Sequence, residues 1–134
     1  MNYWLVKTEP DSYSWDDLLK DKKTVWDGVR NFQARSNMKK MEKGDNVFVY
    51  HTGDEKAIVG IAQVSKSAYP DPKDAEWIAV ELTGQKPLKK PVSLAQIKSD
   101  KRLSDMVLVR ASRLSVQPVR STEYDLIVKL SEAK

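Results

Sequence analysis

Apolar positions along the chain switch between two periods, and the switches delimit short elements. Residues 3–7 are bulky and mostly apolar, predicting a first strand, and Thr8-Glu9-Pro10 ends it. Proline lacks a donor and biases the residue before it toward extended backbone. Ser14 with Asp17 resembles a capping arrangement opening a short helix through Leu18 and Leu19. Residues 20–23 read as a charged turn and 26–31 as a loop. Asn31 is the expected N-cap of a helix running to about Met41, with Ala34, Met38 and Met41 on one face and Gly44 as its stop.

The second half of the chain reads mostly as strands. Residues 46–51 (N-V-F-V-Y-H) predict a buried strand, 52–55 a turn, and 57–64 its antiparallel partner. Gly60 interrupts that partner, as glycine does where another group approaches closely. Residues 69–72 (Y-P-D-P) read as an irregular loop. Residues 77–83 alternate, with Ile78, Val80 and Leu82 on one face and Ala79 and Glu81 on the other. Residues 86–91 form a basic connector bounded by prolines, and Ser93 with Gln96 a capping box over 94–98. Residues 102–106 fit no single element. Residues 114–119 predict a last strand that Pro118 confines to an edge or end. Ser121 is the expected cap of a final helix that carries Tyr124, Ile127 and Val128 on one face. Hairpin-linked strands and short helices predict an α+β fold, a small, mostly antiparallel sheet curled toward a barrel. Parallel βαβ units are not expected, because the central strands are joined by a turn.

Composition narrows the function. The 134 residues carry a net charge of +4 and 31% charged side chains. That suits a single folded domain over 1–134 with a mild bias toward polyanions. There is no membrane-spanning run and no signal-peptide pattern, so a cytoplasmic protein is the expectation. With no cysteine, thiolate catalysis and cysteine-based zinc sites are excluded. The single histidine, His51, excludes metal sites built on several imidazoles, and a strand-end histidine is more often structural than catalytic. The glycines are scattered and form no phosphate-cradling loop.

The stretch 24–35 (T-V-W-D-G-V-R-N-F-Q-A-R) is richest in chemistry. It combines an indole, an Asp-Gly turn, two arginines and two amides at a helix N-terminus, where free N–H groups and a partial positive charge collect. Trp26 reads either as a platform for a flat ring or as packing. Stacking a base on an aromatic face is worth roughly 1–3 kcal/mol, and an extruded base is read through hydrogen bonds at its edge. Asn31, Gln33 and the backbone of 27–30 offer such bonds. Arg30 and Arg35 suit phosphate or a local acid equally.

Several pieces together carry a resemblance. W-L-V-K-T-E-P at 4–10, S-W-D-D-L at 14–18, V-W-D-G-V-R-N-F-Q-A-R at 25–35, G-D-N-V-F-V-Y-H-T-G at 44–53, I-V-G-I-A-Q-V at 58–64, Y-P-D at 69–71 and L-S-V-Q-P-V at 114–119 occur in the order found in EVE domains. The chain resembles that family along almost its whole length. The resemblance implies a PUA-like pseudo-barrel of mostly antiparallel strands surrounded by short helices, akin to YTH, ASCH and SRA-like domains. It also implies a non-enzymatic reader of modified bases in DNA or RNA that needs no cofactor or metal. Carried over by motif position, the pocket would be lined by Lys7, Thr8 and Glu9. Trp26, Gly28, Val29, Arg30, Asn31, Ala34 and Arg35 would form another wall, and His51, Tyr69, Gln117 and Pro118 would complete it. A monomer or weak homodimer is expected, and the lack of terminal extensions suggests a bacterial, cytoplasmic protein. Two other readings stay open: a component of an RNA-modifying enzyme, and a small-molecule sensor using the same pocket.

Overall fold

The computed structural model describes residues 2–132, so both ends of the expected 1–134 domain fall outside the described residues. The elements run β1 (Tyr3–Thr8), α1 (Trp15–Asp21), β2 (Lys23–Trp26), α2 (Phe32–Lys39), β3 (Asn46–His51), β4 (Ala57–Asp71) and β5 (Asp74–Ser93). They continue with α3 (Leu94–Ser99), a single 3-10 turn (Lys101–Leu103), α4 (Val107–Arg110), β6 (Val116–Val119) and α5 (Ser121–Glu132). Six strands form one sheet in the order β2-β5-β4-β3-β1-β6. The fold is α+β, and its open, curled sheet fits the PUA-like pseudo-barrel.

Two apolar clusters cover the two faces of the sheet. Trp4 and Val6 of β1 join Val47 and Val49 of β3, and Trp15, Leu18, Ala34 and Met38 of α1 and α2 close over them. Leu5, Phe48 and Ile58 belong to the other cluster with Ile97, Leu103, Met106, Leu108 and Ile127. The alternation of Trp4, Leu5 and Val6 between clusters is the period-two pattern of a strand buried on both faces. Gly60 is where α1 meets the sheet. A Cβ built there would overlap the Trp15 indole, so the missing side chain makes room for the ring.

The sequence expectations fail at identifiable places. Residues 23–26 are strand β2, not turn and loop: Trp26 pairs with Val80, and only four residues of alternation marked this edge. β1 and β3 pair in parallel, against expectation, with α1, β2 and α2 forming the crossover. Residues 69–71 and 86–91 are strand, not loop and connector. β4 and β5 make one long hairpin whose register shifts at several points, and these irregularities accommodate its prolines. Ala79 is buried as well as Val80 and Leu82, so that strand is covered on both faces. α2 ends at Lys39, although Met41 is still buried, and Gly44 (φ 98°) lies in the turn before β3. Arg120, not Ser121, occupies the cap of α5: its N–H donates to the Glu123 carboxylate at 2.9 Å. β6 is an edge strand, as Pro118 requires.

Candidate functional site

Where β1 ends beside the loop after β2, the sheet leaves an open cavity of about 450 Å³. It is lined by Lys7, Thr8 and Glu9 on one side, by Thr24 to Arg30 on another, and by Tyr13 and Ser115. That volume lies within the roughly 300–1,000 Å³ of small-ligand sites. Its aromatic walls are Trp26 and Tyr13, whose rings meet edge to face at 6.3 Å and 82°. Trp26 is 9% exposed and Tyr13 partly buried, so the corner offers a planar guest only the part of each ring that faces the cavity.

Each wall is fixed from behind. The Tyr13 hydroxyl donates to Asp21 at 2.8 Å. Burial raises the Tyr13 pKa, assisted by the Asp21 charge against the opposing bond to Thr24, so it stays a neutral phenol. The Thr8 hydroxyl donates to the Tyr13 carbonyl at 2.6 Å, tying β1 to the aromatic corner. Lys7 is half-buried, which lowers its pKa, and its ammonium donates to the Ser112 carbonyl. Glu9 accepts from the Thr52 hydroxyl at 3.1 Å.

The 27–31 loop is held by one buried carboxylate. Asp71, 2% exposed, accepts the Gly28 N–H at 3.0 Å, the Arg30 guanidinium at 3.0 Å and the Lys73 N–H at 2.7 Å. Burial pushes the Asp71 carboxyl up. The Gly28 and Lys73 amides and the Arg30 guanidinium outweigh it and hold the pKa at about 2. Gly28 sits at φ 76°, a conformation glycine adopts without strain. Asn31 then caps α2 by accepting the Ala34 N–H at 2.9 Å.

Lys7, Thr8, Glu9, Trp26, Gly28, Val29 and Arg30 therefore share one cavity. The other expected residues lie elsewhere. Ala34 is fully buried on the inner face of α2. Arg35 lies over the Phe32 and Trp77 rings and donates to the Glu76 carbonyl at 2.8 Å. His51 is buried, accepting the Trp15 N–H at Nε2 (2.9 Å), which leaves Nδ1 to donate to Glu55 (2.7 Å). It completes the first turn of α1, a structural use. Tyr69 pairs with Ala79 and carries the Lys66 ammonium 4.6 Å from its ring centre. Gln117 is fully buried opposite Leu5, donating to the Leu114 carbonyl, and Pro118 lines a different groove with Asn2, Tyr3 and Lys40. His51 and Gln117 are not among the residues that line this cavity. Sequence reasoning did not single out Tyr13 or Ser115, which no periodicity marks. Thr24, Val25 and Asp27 fell within the emphasised stretch without being named as lining.

The family model of the EVE domain matches residues 2–130. The chain belongs to the EVE domain family. Human thymocyte nuclear protein 1 is 33% identical, with 98% of this chain and 74% of that protein covered. The NMR structure of Rpa0253 from Rhodopseudomonas palustris is 46% identical, with a TM-score of 0.94 over 98% of this chain and 94% of that one. The crystal structure of human THYN1 protein in complex with 5-methylcytosine-containing DNA is 30% identical, with a TM-score of 0.94 over 100% of this EVE domain and 99% of that chain. Among the described residues, no group of three or more His, Asp or Glu side chains is placed to hold a metal ion.

Proposed function

We propose that this EVE domain is a non-enzymatic reader of a modified nucleobase, and that 5-methylcytosine in DNA is the first ligand to test. The observation that carries the reading is the aromatic corner of Trp26 and Tyr13 inside a cavity whose rim supplies both donors and acceptors. A base taken out of its strand stacks on the Trp26 face, where such contacts are worth roughly 1–3 kcal/mol. A cytosine edge presents an amino donor beside ring and carbonyl acceptors. Glu9 and Asp27 are carboxylates able to accept from the amino group, and Lys7 and the 27–30 backbone are donors able to face the acceptors. A human relative of 30% identity, crystallised with 5-methylcytosine-containing DNA, supports the choice of ligand.

The test is a fluorescence-anisotropy panel of short DNA and RNA strands, each carrying one central cytosine, methylated or plain, at two salt concentrations. The reading expects the methylated strand to bind more tightly than the plain one. It also expects affinity for both to fall with salt, because phosphate contacts release counterions. Equal affinity for methylated and plain strands overturns the modified-base reading. Tighter binding of the RNA set reassigns the sugar. Salt-insensitive binding favours the small-molecule sensor.

A further inference from the structure

Beside the cavity lies an aromatic platform that the pocket itself does not use. Phe32, the first residue of α2, is 70% exposed, the most exposed of the chain's large hydrophobic side chains among the described residues. One face of its ring stacks on Trp77, with centroids 5.2 Å apart and planes 28° from parallel. Arg35 lies 5.0 Å from the Phe32 centroid and 5.4 Å from that of Trp77, and Arg30 lies 5.5 Å from Trp77. Arg30 also lines the cavity, so platform and pocket meet at one side chain.

We propose that the outer face of Phe32 stacks the nucleobase adjacent to the one held in the pocket, with Arg30 and Arg35 facing the connecting phosphates. The inference rests on the base-reading function above. Taking one base out of a strand deprives its neighbour of a stacking partner. An exposed ring at the pocket rim replaces it, and ring stacking tolerates any base sequence. Arg35, which donates to a neutral carbonyl, and the exposed part of Arg30, whose charge is shared with Asp71, make this an anion-facing surface, unlike a bare apolar patch. Phe32 and Trp77 hold each other in place, and Arg35 is fixed by the Glu76 carbonyl at 2.8 Å, so the platform is organised before ligand arrives.

A double-mutant cycle tests it. Wild-type protein and Phe32→Ala are titrated with a single strand carrying 5-methylcytosine, and with strands made abasic on its 5′ or its 3′ side. Because Phe32 is mostly exposed, the variant is expected to fold, and its circular dichroism and thermal midpoint check this. Phe32→Ala should weaken binding of the intact strand about 5- to 150-fold, the range of one lost stacking contact. It should have little effect on the strand abasic at the stacked position, and should leave the preference for methylated over plain cytosine unchanged. Phe32→Leu should behave like Ala, and Phe32→Tyr like wild type. Intact methyl preference with no coupling between Phe32 and either flanking base overturns the platform and spares the pocket. Loss of methyl preference in the wild type removes the pocket reading, and the platform with it.

Discussion

Replacing Asp71 by Asn tests whether one buried carboxylate holds the cavity wall. One Asp71 oxygen accepts Gly28 and Arg30 and the other accepts Lys73, so all three bonds use a charge-assisted acceptor. An asparagine keeps a single acceptor oxygen. Turned toward Gly28, it sets its amide against the Lys73 N–H; turned the other way, it loses both loop contacts. The cheaper orientation forfeits the Lys73 bond, worth roughly 1.5–3 kcal/mol for a charged acceptor. It also weakens the pairing with Arg30, whose side chain is 38% exposed, by a further fraction of a kcal/mol. The expected loss is about 2–3 kcal/mol, or about 7–11 °C in Tm for a chain of 134 residues. Urea denaturation and calorimetry at neutral pH measure it.

A pH series adds a second arm. The folded carboxyl titrates at about 2 against 3.8 in the open chain. Its contribution is therefore complete above the unfolded value and is lost as pH falls through the folded one. That depression corresponds to about 2 kcal/mol, so the gap between wild type and Asp71→Asn should close between about pH 4 and pH 2. A gap below about 0.5 kcal/mol at neutral pH, or one that persists unchanged to pH 2, would refute the role given to Asp71.

Three further outcomes are expected. Gly60→Ala drives a methyl into the Trp15 indole and should cost about 3 kcal/mol or more, measured by chemical denaturation; a loss below about 1 kcal/mol would mean that α1 shifts without penalty. Asn31→Ala removes the cap of α2 and should cost about 0.5–2 kcal/mol, with Asn31→Asp retaining most of it. His51→Gln should weaken the start of α1 yet leave affinity for a methylated strand within twofold in anisotropy titrations, since the imidazole is committed to Trp15 and Glu55.

Local chemistry was legible wherever it acts within one turn or one hairpin. The Ser14–Asp17 and Ser93–Gln96 capping boxes and the Asn31 cap are formed as the spacing implied. The 46–51 and 57–64 strands pair antiparallel as read. What escaped was long-range. Parallel pairing of β1 with β3 depends on a crossover that β2 interrupts, and β2 itself is held through β5, far along the chain. The 69–71 and 86–91 segments looked like loops because of their prolines, whereas bulged pairing between β4 and β5 absorbs those residues. At the site, residues contiguous with β1 and the 24–35 stretch converge on the cavity. His51 and Gln117 are drawn into structural bonds with Trp15 and Leu114, pairings that no local spacing rule predicts. Tyr13 is held at the cavity by its bonds to Thr8 and Asp21 and its ring contact with Trp26, all beyond the reach of local patterning.

The most direct test of the account is a map of backbone amide and tryptophan indole NMR shifts as a single DNA strand carrying 5-methylcytosine is titrated in. The account predicts that the largest changes fall on the Trp26 indole N–H and on the amides of Lys7 to Glu9, Tyr13 and Gly28 to Arg30. Smaller changes are expected when plain cytosine replaces the methylated base. Shifts centred on the Pro118 groove or on α5, or a map identical for the two strands, would contradict it.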